Sequence, residues 1–408
     1  MKSSDLCFRK TKAALLWTSL LNEPFLALYA LMPFILRKDL EATLFQISLF
    51  TMLKPTVSLL SFYWSSWIAC RKDRLRSNLI GAGILARLPF LIVPFIDNVW
   101  YLIFAGAAYM LFSRAGIPAW MEILKLNMPK KPREKLFSVS QSLGFAEGIL
   151  IALALGMLLD TYSSFWKILF MLGGLLGIFS TLIQGRLPIR GENGNEESLK
   201  KYVRPDLFTP WKEALQLMRE RPDFARFQWG FMAGGGGYML IIPALALYYA
   251  DVLPLSHTDM ALGRCLFMGL GYVISSPCWG LAMNRFEFSR LTSFVCVGFG
   301  LFPLLILCAS LSLFWFFLAF FLWGVVQAGS HLLWNLSGTI YAGADDSSRY
   351  TSVNILTVGL RGLVAPMLGG VLCDLMGPVP VFFIGAAACM VGGWHLIHFH
   401  RVRSVIEK

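Results

Sequence analysis

Twelve apolar stretches alternate with short polar connections along the chain, at roughly 12–36, 43–68, 78–96, 99–120, 138–160, 164–185, 227–250, 257–283, 291–309, 313–341, 351–373 and 378–399. A helix rises about 1.5 Å per residue, so about twenty such residues span a hydrocarbon core of about 30 Å. Single Gly and Pro residues inside the stretches are compatible with helices, because neighbours in a bundle re-satisfy the backbone groups left open. The pattern predicts an all-α, multi-pass membrane protein of twelve transmembrane helices, with the lipid bilayer as its solvent.

One long hydrophilic stretch interrupts the alternation. It predicts a six-helix bundle over 1–185, a cytoplasmic linker over 186–226 and a second six-helix bundle over 227–408. Within the linker, Gly191–Ser198 is polar throughout. An amphipathic helix is expected beyond it, with Thr209 as N-cap and Pro210 at the first helical position. Leu215, Leu217 and Met218 would turn inward, and Lys212, Glu213, Arg219 and Glu220 outward.

The two halves are related. Under a single offset of 214 residues Arg71 falls on Arg285, Arg76 on Arg290, Pro89 on Pro303, Trp120 on Trp334, Gly148 on Gly362, Gly156 on Gly370 and Asp160 on Asp374. A fixed long-period repeat in a polytopic chain predicts two pseudo-symmetric bundles, as in secondary transporters.

Composition sharpens this reading. Hydrophobic residues make up 56% of the chain and charged residues 15%, where a soluble domain carries about 25% charged. The net charge of +12 suggests nucleic acid until its placement is considered. The N-terminal tail, the even-numbered connections, the linker and the C-terminal tail hold nearly all the Lys and Arg outside the spans. The opposite connections hold only Arg37, Lys38 and Lys167. Such asymmetry marks the cytoplasmic side, so both termini are expected there and no nucleic-acid partner is expected. The first span contains Glu23 and lacks a small-x-small cleavage site, so it is expected to stay as a helix.

Loop 8–9 reads Gly280-Leu-Ala-Met-Asn284-Arg285 and reaches Arg290; loop 2–3 reads Ser66-Trp-Ile-Ala-Cys70-Arg71 and continues to Asp73 and Arg76. With twelve helices in two sixfold halves, a long central loop and these basic tethers, the chain resembles the major facilitator superfamily. Both basic positions of that family's loop signature match in both copies, while its acidic position is Cys70 in one and Asn284 in the other. The resemblance implies a cytoplasmic gate built from Arg71, Asp73, Arg76, Asn284, Arg285 and Arg290. It also implies that helices one, four, seven and ten line a central cavity.

Charges inside the spans carry the candidate chemistry, because each costs several kcal/mol in lipid unless paired or wetted. They are Glu23, Lys54, Arg87, Arg114, Glu147, Arg264 and Arg361. Glu23 lies in Asn22-Glu23-Pro24, and the repeat puts Gly234–Tyr238 at the equivalent place. Weak points in matching helices of the two halves predict a midplane binding site there. Glu23, Arg114 and Glu147 are expected to couple protons or substrate. Asn22, Lys54, Gly237, Tyr238, Arg264, His331, Asn335 and Arg361 are expected to line the substrate cavity. Permanent pairing of Glu23 with Arg114 or Lys54 is the structural alternative. A Glu147–Arg264 pair made in one state and broken in another would act as a latch. Gly144 and Gly148 form a Gly-x-x-x-Gly, expected to serve close helix packing.

These features predict a secondary active transporter that moves a small organic solute by alternating access, coupled to protons. The excess of buried cations favours an anionic or zwitterionic metabolite. Arg114 is similar to the cavity Arg of proton-coupled drug exporters in the superfamily, which leaves export of amphipathic or lipid-like compounds open. The exporters' Gly-Pro run is absent from helix five and finds its nearest likeness in Gly362–Gly370. No phosphate-cradling loop and no His-Glu-x-x-His is present, so neither ATP drive nor a membrane-embedded lipid enzyme is expected, and no cofactor or metal. A monomer in a bacterial inner membrane is the expected setting.

Overall fold

The computed structural model describes residues 3–70, 74–188, 208–283, 285–342 and 347–406. Every regular element among them is helical: α1 (Ser3–Lys38), α2 (Leu44–Cys70), α3 (Leu75–Arg87), α4 (Val99–Asn127), α5 (Lys130–Thr161) and α6 (Trp166–Gly185). After them come α7 (Thr209–Glu220), α8 (Pro222–Leu247), α9 (His257–Ala261), α10 (Met268–Met283), α11 (Phe288–Cys308), α12 (Leu313–Ala342), α13 (Ser347–Met376) and α14 (Pro378–Ile406). Ten helical stretches among the described residues are long and apolar enough to cross a membrane. The expected spans 43–68 and 138–160 are helical, as α2 and α5, but are not among those ten. Bulky apolar side chains such as Phe95, Leu150, Phe179 and Trp394 stand exposed, which suits a surface solvated by lipid.

Local chemistry explains where the helices begin. Thr43 and Gln46 cap α2 reciprocally: the Thr43 amide donates to Gln46 Oε1 at 2.9 Å, and the Gln46 amide donates to Thr43 Oγ1 at 3.3 Å. Asn98 accepts from the amides of Trp100 and Tyr101 to start α4. Ser256 and Asp259 make the same kind of box for α9. Pro89 and Pro94 shorten α3 relative to the expected span, and the chain continues in tight 3₁₀ turns at Leu88–Leu91 and Val93–Phe95.

Three local expectations are corrected. First, α1 runs unbroken through Asn22–Pro24, and α8 runs unbroken through Gly234–Tyr238, so the paired weak points are not interruptions. Gly237 of α8 serves contact: a Cβ there would stand 2.5 Å from the Gly385 carbonyl of α14. Second, α7 starts without a Thr209 cap; Phe208 precedes it in helical conformation with no side-chain cap. Third, Leu217 of α7 is buried while Leu215 is 60% exposed. Two residues subtend about 200° around a helix, so both cannot face one core.

The chain forms two compact units, one of Met1–Met32 with Leu60–Pro205 and one of Pro33–Leu59 with Asp206–Lys408. Residues 33–59 thus go with the later part of the chain, and the contacts show why. Arg37 pairs with Asp251, the Lys38 ammonium donates to the Leu255 carbonyl at 2.5 Å, and His257 Nε2 lies 3.1 Å from Asp39 Oδ2.

In the first unit the core is aromatic. The Phe25 ring meets Tyr109 at 4.7 Å and Phe90 at 4.8 Å, and Phe90 meets Phe170 at 5.2 Å. In the second unit Phe224, Phe227 and Phe231 of α8 pack with Tyr341 and Tyr350. A buried polar chain ties three helices beside them. Gln228 donates to Asn354 Oδ1, Asn354 Nδ2 donates to Ser337 Oγ at 2.6 Å, and Thr357 Oγ1 donates to Gln228 Oε1 at 3.0 Å. Arg221, just ahead of α8, donates to Tyr350 Oη at 2.6 Å and to the Tyr341 carbonyl at 2.9 Å.

Helices α10 and α12 touch backbone to backbone. A Cβ at Gly271 would overlap the Phe321 carbonyl, and one at Gly324 would overlap the Met268 carbonyl. Neither carbonyl can swing aside as a side chain can. Gly271→Ala should therefore cost about 1–3 kcal/mol, seen as a lower thermal midpoint of the purified protein in detergent. An unchanged midpoint would contradict the close crossing.

Candidate functional site

Glu23 sits in the middle of α1, on the turn that follows Ser19. The Ser19 hydroxyl donates to the Ser140 carbonyl of α5 at 2.9 Å, and Ser140 Oγ donates to the Leu15 carbonyl at 3.4 Å. These bonds hold α1 and α5 in register. One turn further on, α5 presents Gly144 and then Gly148. A Cβ at Gly148 would stand 2.5 Å from Glu23 Oε1, and one at Gly144 3.1 Å from Glu23 Oε2. The carboxylate therefore occupies the volume that these two residues leave empty.

Among the described residues Glu23 makes no hydrogen bond and no ion pair. Within the first unit it is therefore not paired with Arg114. Its electrostatic neighbours are Glu147 and Tyr109. Glu147 has one carboxylate oxygen buried with no hydrogen-bond partner. Tyr109 is 6% exposed, lies in electrostatic range of Glu23, Arg87 and Arg114, and makes no hydrogen bond among the described residues. Arg114 likewise makes none.

Arg87 plays a different part. Its guanidinium donates to Asn22 Oδ1 at 2.5 Å and to the Gly83 carbonyl at 3.0 Å. Asn22 donates in turn to Ser180 Oγ at 2.9 Å. A Cβ at Gly177 of α6 would overlap that guanidinium. Asn22, expected in the cavity, is half-buried and accepts from Arg87 within the first unit. Sequence reasoning counted Arg87 among the buried charges but assigned it no role, and missed Tyr109 altogether. Gly177 was the available signal, since a glycine on a facing helix leaves room for a large head.

In the second unit Arg361 of α13 donates to the Phe231 carbonyl at 2.6 Å, with its guanidinium 4.6 Å from the Phe231 ring centre. A Cβ at Gly235 would overlap it, and its Nε is buried without a partner. No carboxylate pairs with it among the described residues. Tyr238 stacks on Trp323 at 4.2 Å and on Phe299 at 5.4 Å, within a buried aromatic group. Arg264 lies in the π-helical turn Leu262–Phe267, in electrostatic range of Tyr238 and Tyr249. Lys54, His331 and Asn335 are exposed, with Lys54 in electrostatic range of His331. Gly237 packs on α14.

Of the expected cytoplasmic gate, Arg71, Asp73 and Asn284 lie outside the described residues. Arg76 donates to the Leu187 carbonyl at 3.1 Å, securing the chain beyond α6. Arg285 and Arg290 are exposed.

Charges at mid-length of long apolar helices mark a candidate solute or ion route. The chain belongs to the Major Facilitator Superfamily, whose family model matches residues 24–353. A multidrug resistance protein, MdtG, from Yersinia enterocolitica is 27% identical over 187 residues, which cover 44% of this chain and 44% of that relative. Among solved structures, a mutant of the nucleoside transporter NupG superposes with a TM-score of 0.74 at 11% identity, covering 95% of this chain and 99% of that one. A mutant of the peptide transporter POT in complex with alafosfalin gives a TM-score of 0.74 at 15% identity, covering 96% of this chain and 95% of that one. These likenesses establish the fold.

Two tyrosine hydroxyls offer a contrast in stability. Tyr350→Phe removes an acceptor from Arg221 and should cost about 1.5–3 kcal/mol. Tyr109→Phe keeps the ring packing and breaks no hydrogen bond, so it should stay within about 0.5 kcal/mol of the parent. Denaturation of both variants in detergent checks this. Equal losses would refute the assigned bonding.

Proposed function

We propose that this protein is a proton-coupled secondary transporter of a small organic solute, with Glu23 as the group that takes up and releases the proton. The carrying observation is a carboxylate at the middle of a membrane-length helix with no cation bound to it. Such a group is costly in lipid unless protonation or a ligand neutralises it in the working cycle. Glu147 and Arg114 assist: one adds a second carboxylate, the other a cation near Tyr109. Twelve membrane crossings, six in each half of the sequence, with both termini in the cytoplasm, complete the picture. The two halves, 1–185 and 227–408, would expose the site alternately to either side of a bacterial inner membrane, the protein acting as a monomer.

The favoured cargo is an anionic or zwitterionic metabolite. Support comes from the surplus of intramembrane cations, of which Arg361 still has a guanidinium edge without a partner. Lys54, His331 and Asn335 supply accessible polar groups for the same cargo, with Arg264 near the tyrosines, and Arg76, Arg285 and Arg290 belong to the cytoplasmic gate. A second reading, export of amphipathic compounds, is favoured by the partial likeness to the multidrug protein together with Glu23 and Arg114.

Proteoliposomes with an entrapped pH dye provide the test. A dipeptide, a nucleoside, a small dicarboxylate and a lipophilic cation are added in turn under an imposed pH gradient. One of them should speed collapse of the gradient, and Glu23→Gln should slow that collapse about a hundredfold, the lower end of the scale for loss of a proton-transfer group. Wild-type collapse in Glu23→Gln removes Glu23 as carrier.

A further inference from the structure

We propose that Gly144 and Gly148 are positioning residues for Glu23: α5 lacks side chains at these two points so that the carboxylate of α1 has a seat there. The inference rests on the reading of Glu23 as proton carrier. It replaces the expectation that this Gly-x-x-x-Gly serves helix packing.

Glycines that let two helices approach are recognised by what a Cβ would strike, namely the backbone of the facing helix. Gly271, Gly324 and Gly369 behave this way, each opposed by a carbonyl group. Gly144 and Gly148 do not. The nearest atoms at Gly148 are Glu23 Oε1 at 2.5 Å, Cδ at 3.3 Å and Cγ at 3.4 Å; at Gly144 they are Glu23 Oε2 and Ser19 Oγ, both at 3.1 Å. Each carboxylate oxygen faces one of the two glycines, which lie one turn apart. The fit is to a side-chain head.

The register of the two helices makes the seat possible. Ser19 lies one turn before Glu23 and Ser140 one turn before Gly144, and the Ser19 hydroxyl is committed to the Ser140 carbonyl. It therefore donates nothing to the carboxylate. The seat offers space without a hydrogen-bond donor, so the carboxylate is held in place yet left to exchange its partner. A second, independent observation points to the same exchange. The Tyr109 side chain is more than nine-tenths buried, in electrostatic range of Glu23, and its hydroxyl has no hydrogen-bond partner among the described residues. That hydroxyl is not sealed from access, so a proton-bearing or ligand group can reach it. Glu147 stands next to Gly148 in sequence and brings a second carboxylate within electrostatic range. Glu23 therefore has no fixed counter-charge to hold it in place, and its position depends on the shape of the α5 surface.

The test needs no cargo. Full-length protein in proteoliposomes is titrated by infrared difference spectroscopy, which reads the carbonyl stretch of a protonated carboxyl group. Loss of one titrating band in Glu23→Gln assigns that band. Gly148→Ala should displace its midpoint by about one pH unit, a tenfold change in proton affinity. Gly144→Ala should displace it less, because its Cβ meets a wider gap. Glu23→Asp withdraws the carboxyl group from α5 by one methylene, so adding Gly148→Ala to it should leave the Glu23→Asp midpoint where it was. A displacement of equal size in both backgrounds, or a wild-type midpoint in Gly148→Ala, overturns the proposal while leaving Glu23 as carrier. A spectrum untouched by Glu23→Gln overturns the carrier reading itself. Should Gly148→Ala fail to fold, recovery of folding on adding Glu23→Asp supports the seat, and failure of both variants overturns it.

Discussion

A charged head buried among membrane helices needs volume as much as it needs a partner, and in this protein glycine on the facing helix provides that volume. Glu23 lies against Gly144 and Gly148, Arg87 against Gly177, and Arg361 against Gly235. Lipid cannot solvate these groups, so a side chain opposite them would leave the head no low-energy position. The same residue type does a second task elsewhere, letting α10 and α12 cross backbone to backbone. Membrane helices gain little from burying apolar surface against one another, because lipid is equally apolar, so close contact and polar bonds hold them together.

The buried charges then divide by what completes them. Arg87 makes two bonds, to Asn22 and the Gly83 carbonyl, with only its buried Nε left over, and it fastens α1 to α3 with help from Ser180 of α6. Arg361 is half satisfied, with one bond to the α8 backbone and a ring beneath it. Glu23 has neither bond nor ion pair. The three charges thus differ in how many bonds complete them, a difference set by geometry and not visible in the sequence.

The polar connections follow a related logic. The turn from α1 to α2 is secured by Arg37, Lys38 and Asp39 to points between residues 251 and 257, which is why residues 33–59 group with the second compact unit. The chain beyond α6 is held by Arg76, and the approach to α8 by Arg221. Each end of the central stretch is thus bonded to the unit it adjoins.

An all-helical membrane protein of this family was legible in the sequence, and so was the approximate course of most of its helices, though α3 ends earlier than its apolar stretch. Those properties follow from apolar length and charge placement, which are local and additive. The sequence also flagged Glu23, Arg114, Glu147 and Arg361 as costly residues, because depth in a span can be counted along the chain. Which neighbour each charge meets was decided only by the tertiary structure. That depends on the rotation and register of helices far apart in sequence, and no periodicity within one helix encodes the identity of the residue across from it. Hence Asn22 proved to be the partner of Arg87, Tyr109 went unnoticed, Gly234–Tyr238 turned out to lie within an unbroken helix, with Gly237 against α14 and Gly235 against Arg361, and the glycine pair of α5 turned out to face a carboxylate.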